Sequence, residues 1–205
     1  MQNITIQVIV EIIFQYTNHK TVYIFHCEDK IKMILLITGA SHVGKTVLAQ
    51  RMLEKYKYPY LSIDHLKMGL IRGGYTTLTP EDDDKITEYI WPMIREIIKT
   101  AIENRQNLIV EGCYVPVDWR KDFDRNYTDN IEFLCLAMTE KYIEDHFREI
   151  IEHESEVESR LIRADCTIDE LKQSNRWFID SFRTVGEKVV LIEEDFEKTL
   201  TNILD

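Results

Sequence analysis

Apolar residues along this chain fall into two alternating patterns: short continuous runs, and longer stretches in which they recur every three or four positions. Met33-Ile34-Leu35-Leu36-Ile37-Thr38 is a short apolar, partly β-branched run stopped by Gly39, the appearance of a buried parallel strand. Tyr60 to Ile63, Leu108-Ile109-Val110, Ile131 to Met138 and Val189 to Ile192 repeat that appearance. Between the runs, Leu48, Met52, Leu53 and Tyr56 recur at helical spacing. Thr79-Pro80-Glu81-Asp82 carries a hydroxyl cap, a first-turn proline and acids at the positive dipole end, which predicts a helix start. Ile86, Ile90, Met93 or Ile94, Ile97 and Ala101 continue it to about Asn104, with a kink expected at Pro92. Trp91 and Pro92 are assigned to packing.

Further helices are predicted over Thr139 to Ile151 and from the capping box Thr167-Ile168-Asp169-Glu170 to about Phe182. A last one runs from about Phe196 to Leu204. Five strands alternating with helices specify one α/β domain over residues 33–205, a three-layer αβα arrangement around a mainly parallel five-stranded sheet. Residues 1–32 fall outside this pattern, and Met33 stands where the compact domain begins. They are expected to be a dispensable extension, or to add an edge strand at Thr21 to His26.

Composition narrows the function classes. The 205 residues are 44% hydrophobic and 10% aromatic, enough for a real core and incompatible with a disordered tail or a disulfide-stapled miniprotein. Thirty-six acids against 25 bases give a formal charge of −11, which repels phosphate backbones and anionic lipid. Neither nucleic acid nor membrane is therefore an expected partner, and any anion site must be built locally. The four cysteines, Cys27, Cys113, Cys135 and Cys166, are widely spaced with no C-x-x-C pair. They read as buried reduced thiols in a cytoplasmic protein, not as a zinc site.

One segment carries a specific chemistry. Gly39-Ala40-Ser41-His42-Val43-Gly44-Lys45-Thr46 satisfies G-x-x-x-x-G-K-[ST] between a predicted strand and a predicted helix. Glycines let the backbone wrap closely enough for its N–H groups to face phosphate, and the helix N-terminus adds positive potential. Lys45 is then the charge for β- and γ-phosphates, Thr46 the hydroxyl ligand for Mg2+, and His42 the donor of a backbone N–H.

A phosphate loop alone does not choose among kinases, GTPases and ATPases. The chain is short and has no N-K-x-D guanine-reading motif, which disfavours GTPases and large ATPases. Asp64, directly after the second strand, is the candidate for positioning or deprotonating an acceptor, the alternative being a helix N-cap. Glu111, ending the third strand, is the candidate for magnesium or for the acceptor. Arg72, before Gly73-Gly74, is a candidate anchor for an anionic acceptor. Arg148, Arg160, Arg163 and Arg176 punctuate an acidic stretch, and Arg160 or Arg163 is expected to reach phosphate from a closing segment.

The phosphate loop, Ile63-Asp64, Val110-Glu111-Gly112 and the arginine-bearing segment together resemble the small P-loop kinases. That group includes adenylate, shikimate and gluconate kinases. Asp64-His65-Leu66-Lys67-Met68-Gly69 and Glu111-Gly112-Cys113-Tyr114-Val115-Pro116 are similar to bacterial proteins labelled adenylate kinase or 2-phosphoglycerate kinase. The resemblance implies ATP and Mg2+ at Gly39 to Thr46, an acceptor site lined by Asp64, Arg72 and Glu111, and a small helical lid carrying Arg160 or Arg163. It also implies adenine held near the loop after Ile192. The chain lacks the D-G-[FY]-P-R segment of adenylate kinases after the third strand, which counts against a nucleoside monophosphate as acceptor; an adenylate-kinase-type enzyme stands as the alternative to a kinase for another small molecule. A regulatory ATPase or switch without an acceptor is a further alternative.

Overall fold

The computed structural model describes residues 33–152 and 166–205. Residues 1–32, with the expected edge strand and Cys27, lie outside it, as do Arg160, Arg163 and the expected lid. Five strands form one sheet: β1 (Ile34–Gly39), β2 (Tyr60–Ser62), β3 (Leu108–Glu111), β4 (Ile131–Met138) and β5 (Val189–Ile192). Their spatial order is β2-β3-β1-β4-β5, and every pairing is parallel. All six residues of β1 are buried, as a central strand covered on both faces requires.

The connections are helices: α1 (Lys45–Tyr56), α2 (Ile63–Arg72), α3 (Asp83–Glu103), the short α4 (Arg125–Thr128), α5 (Glu140–Glu152), α6 (Ile168–Thr184) and α7 (Phe196–Leu204). Right-handed crossovers place α1 on one face of the sheet and α3 on the other, because the chain moves in opposite directions along the sheet in forming them. α7 returns to α1, where Arg51 makes a two-pronged contact with Glu197 at 2.8 Å. On the opposite face an aromatic cluster fills the layer. Trp91 on α3 meets Phe123, Phe123 meets Trp119, Trp119 stacks on Phe133 of β4, and Phe133 stacks on Phe182 of α6 at 5.2 Å between centroids.

The predicted elements recur with adjusted ends. Ile63 begins α2 and does not end β2, which moves Asp64 into the first helical turn and leaves Ser62 as the N-cap residue. The helix expected from Thr79 begins at Asp83, because the Thr79 N–H and hydroxyl both donate to the Asp82 carboxylate and close a turn there. That backbone donor first, then Lys85 and the Thr79 hydroxyl, hold the Asp82 carboxyl down at about 2. Pro92 lies inside α3 without ending it and is exposed, so only Trp91 of that pair is a packing residue. Cys135 is buried, and burial pushes its thiol up to about 12, whereas Cys113 and Cys166 are half-buried.

The Thr167 capping box is present in full: its hydroxyl accepts from the Glu170 N–H while the Glu170 carboxylate accepts from the Thr167 N–H. Thr167→Ala is expected to lower stability by about 1 kcal/mol and the melting temperature by roughly 2–4 °C, read in a thermal melt. An unchanged melt would mean that α6 starts without its cap.

Candidate active site

Ligands in open parallel sheets bind beyond the carboxyl ends of the strands, where successive connections leave in opposite directions. Here that point is the end of β1, between β3 and β4. The loop from Gly39 to Gly44 lies there and runs straight into α1. Two residues of its turn sit in the left-handed region: His42 at φ 65° and Gly44, the N-cap of α1, at φ 83°. Alternation of this kind turns successive N–H groups toward one side and makes an anion cradle. Histidine is among the few non-glycine residues that tolerate that conformation, so the loop keeps its shape with a side chain at position 42. Gly44 has no such freedom, since a Cβ there would stand 2.6 Å from the Phe196 ring.

Lys45 is 7% exposed and its Nζ donates to the Ala40 carbonyl at 2.7 Å, folding the side chain back across the loop. An ammonium so held is a short swing from any phosphate cradled by the loop's N–H groups. The next residue, Thr46, donates its hydroxyl to Glu111 Oε1 at 3.3 Å. Glu111 is 1% exposed at the end of β3. Loop and strand are fastened further by Thr38, whose hydroxyl donates to the Gly112 carbonyl at 2.9 Å, and by the Gly112 N–H on Ile37 O at 3.1 Å. Gly112, at φ 158°, lies so close to α2 that a Cβ would be 2.8 Å from the Ile63 Cβ. That approach brings the start of α2, and with it Asp64, beside the Glu111 strand end.

Asp64 is held by a set of side chains that sequence reasoning missed. Lys67, one turn further along α2, is 6% exposed and lies 3.3 Å from Asp64 Oδ1. Its Nζ also donates to the Tyr114 hydroxyl at 2.5 Å and sits 4.7 Å from the centre of the Tyr114 ring. Tyr114 donates in turn to Asp83 Oδ1 at 3.0 Å. Burial first, then the Asp64 and Asp83 charges, raise the Tyr114 phenol far above its ordinary range, so it remains a neutral donor and acceptor. One ammonium, two carboxylates and a phenol thus tie α2, α3 and the loop after β3 together. A signal existed in the sequence, since Lys67 stands three residues after Asp64 and Tyr114 three after Glu111.

Arg72 ends α2, eight residues beyond Asp64 and hence about 12 Å along the helix, and it is exposed. Arg176 pairs on the surface with Glu140, and Arg148 is exposed on α5. Both arginines belong to the solvated faces of their helices.

Thr46 and Glu111 fit a magnesium ion in donor chemistry, one hydroxyl and one carboxylate, both oxygen and both buried enough to be aimed. Among the described residues no three His, Cys, Asp or Glu side chains cluster as a metal site. The remaining oxygens would have to come from phosphate and water. None of the described helices is long and apolar enough to cross a membrane.

No protein-family model and no curated protein matches the chain. Solved structures do resemble it. A gluconokinase from Sinorhizobium meliloti 1021 superposes with a TM-score of 0.51 at 14% identity, over 85% of this chain and 90% of that one. A chain from Chloroflexus aurantiacus J-10-fl described as a kinase gives 0.52 at 15% identity, over 84% and 96%. A shikimate kinase from Bacteroides thetaiotaomicron gives 0.48 at 15% identity, over 83% and 95%. At these identities the likeness speaks for architecture, and what it shows is that this chain has the three-layer α/β fold of the small P-loop kinases.

Proposed function

We propose that the protein is an ATP-dependent small-molecule kinase that moves the γ-phosphoryl group of ATP to a hydroxyl or phosphate oxygen of a small acceptor. The observation that carries this reading is convergence. The phosphate loop with Lys45 and Thr46, the buried Glu111 and the start of α2 with Asp64 all meet at one edge of the sheet. A regulatory switch needs the first two features and has no use for the third.

In this reading the N–H groups of Gly39 to Thr46 hold the β- and γ-phosphates, and Lys45 exchanges the Ala40 carbonyl for them. The acceptor oxygen attacks the γ-phosphorus as the bond to the β–γ bridging oxygen breaks, and ADP departs with that oxygen. Asp64 accepts the acceptor's proton, or its hydrogen bond, and Lys67 with Tyr114 keeps the carboxylate in place. Thr46 and Glu111 would hold magnesium, which supplies charge neutralisation at the phosphates. Arg72, at the far end of α2, is the candidate anchor for an anionic tail of a long acceptor. Arg160 and Arg163 are the candidate charges over the γ-phosphate, and they lie outside the described residues. Gluconate, shikimate, nucleoside monophosphates and phosphoglycerates are the first acceptors to try, the last two being the acceptors named by the labels that the α2 and post-β3 motifs resemble.

The test is ADP formation from Mg-ATP across that panel, wild type beside Asp64→Asn. One acceptor is expected to stimulate ADP release, and Asp64→Asn is expected to lower that stimulated rate on the order of 10²–10⁴-fold while nucleotide binding persists. Full activity in Asp64→Asn removes the base assignment. Nucleotide-dependent hydrolysis that no acceptor accelerates favours the switch.

A further inference from the structure

The sheet ends in two edge strands, β2 and β5, and they are built differently. β2 is three residues long, follows Pro59 and gives way at once to α2, so it offers a further strand almost no ladder. β5 runs Val189-Val190-Leu191-Ile192 in unbroken register with β4, and it carries no proline, lysine or bulge that would turn a neighbour away.

Half of the β5 backbone faces that open side. The Cys135 N–H donates to the Lys188 carbonyl at 3.0 Å and the Thr139 N–H to the Ile192 carbonyl at 3.1 Å, which turns Lys188, Val190 and Ile192 toward β4. Val189 and Leu191 alternate with them, so their N–H and C=O groups point away from the sheet. No bond among the described residues reaches those four groups. They lie along a groove of about 320 Å³ between Arg183 of α6 and Thr199 and Asn202 of α7.

Charge is divided along this groove. Arg183 stands near the start of β5, where α6 ends, and Glu193 directly follows its last residue. The two ends of the strand are about 13 Å apart at 3.3 Å per residue. Both side chains are exposed, and neither has an ion-pair partner among the described residues. Val185, 48% exposed, adds apolar surface at the basic end.

We propose that this edge is the contact between two copies of the chain, β5 of each pairing antiparallel with β5 of the other about a two-fold axis. Such a contact uses one surface twice, so the surface must complement itself. Antiparallel pairing meets that demand, because it brings the Arg183 end of each copy toward the Glu193 end of the other. Parallel pairing would set arginine on arginine and glutamate on glutamate. With the axis at Val190, Val189 of each copy exchanges both N–H···O bonds with Leu191 of the other, which satisfies all the outward backbone groups. The two sheets then continue into one of ten strands, five from each copy. So short a contact associates reversibly, and its charges select orientation more than they add strength.

The experiment uses the full chain without nucleotide. Sedimentation over a wide concentration range at low and high salt reads association, and residue-resolved hydrogen exchange reads the Val189 and Leu191 amides. A reversible dimer is expected, weaker at high salt, with both amides exchanging more slowly as the dimer fills. Glu193→Arg sets like charges against each other and should weaken the dimer about tenfold, and adding Arg183→Glu should restore it. A monomer whose two amides exchange freely at every concentration overturns the proposal. A monomer with both amides protected at every concentration overturns it too, since its edge is then covered from within the chain. A dimer indifferent to Glu193→Arg, with both amides unprotected, joins elsewhere and removes this edge as the contact.

Discussion

Lys45→Ala is expected to abolish phosphoryl transfer and to weaken ATP binding severely, a loss on the order of 10³-fold or more in turnover. The reason lies in how Lys45 is stored. Its ammonium is almost fully buried and held on the Ala40 carbonyl within the phosphate loop, so its flexible stem is already ordered when nucleotide arrives. In the proposed reaction, replacing it removes the charge assigned to the γ-phosphoryl group in the transition state, and it leaves the Ala40 carbonyl without its ammonium partner. The fold should survive, because α1 keeps Leu48, Ala49 and Met52 in the core. Calorimetric titration with ATP and a thermal melt of the same sample separate the two effects. A variant that melts as wild type and still binds and turns over ATP would end the phosphate-loop assignment.

The largest expected effect on stability comes from Gly39→Ala. A Cβ at Gly39 would lie 2.0 Å from the Leu136 carbonyl oxygen and 3.0 Å from its carbon, both backbone atoms of β4. Gly39 and Leu136 are register partners, so neither strand can step aside without opening the central pairing of the sheet. The φ of 148° adds strain for any side chain. A loss of about 4 kcal/mol or more is expected, appearing as a fall of roughly 10 °C or more in melting temperature or as insoluble protein. Gly74→Ala is the control. Gly74 also has a positive φ, at 71°, but nothing stands within 4 Å of its Cβ position, so only the conformational cost of about 1 kcal/mol applies. Similar melts for the two variants would mean that β4 yields at Leu136 and that close packing is not what holds the loop.

The elements that the sequence made legible are those whose signals are local. The run Ile34 to Thr38 is buried throughout and can only be a central strand, and Thr167 with Glu170 forms its cap from residues three apart. The phosphate loop was legible for the same reason: eight consecutive residues carry cradle, charge and hydroxyl. Boundaries failed where one local bond competed with another. Thr79 looked like a cap, but its N–H and hydroxyl close a turn on Asp82, and the helix waits until Asp83. The single-turn elements over residues 119–122 and 125–128 were too short to leave a periodic trace.

Strand burial and helix capping depend on neighbours a few residues apart, so the parallel α/β domain, the G-x-x-x-x-G-K-T segment and the acid that ends β3 can be read along the chain, whereas Asp64, read as following a strand, lies in the first turn of α2. Which distant groups meet is set by the folded arrangement. Thr46 reaches Glu111 across 65 positions, Lys67 reaches Tyr114 across 47, and Ser62 comes beside Glu111 through the pairing of β2 with β3. These contacts follow from the strand order β2-β3-β1, which inserts β3 between two strands that adjoin in sequence. Such an insertion is fixed by crossover handedness and by the packing of α1 and α3 on opposite faces, and no window of the chain encodes it.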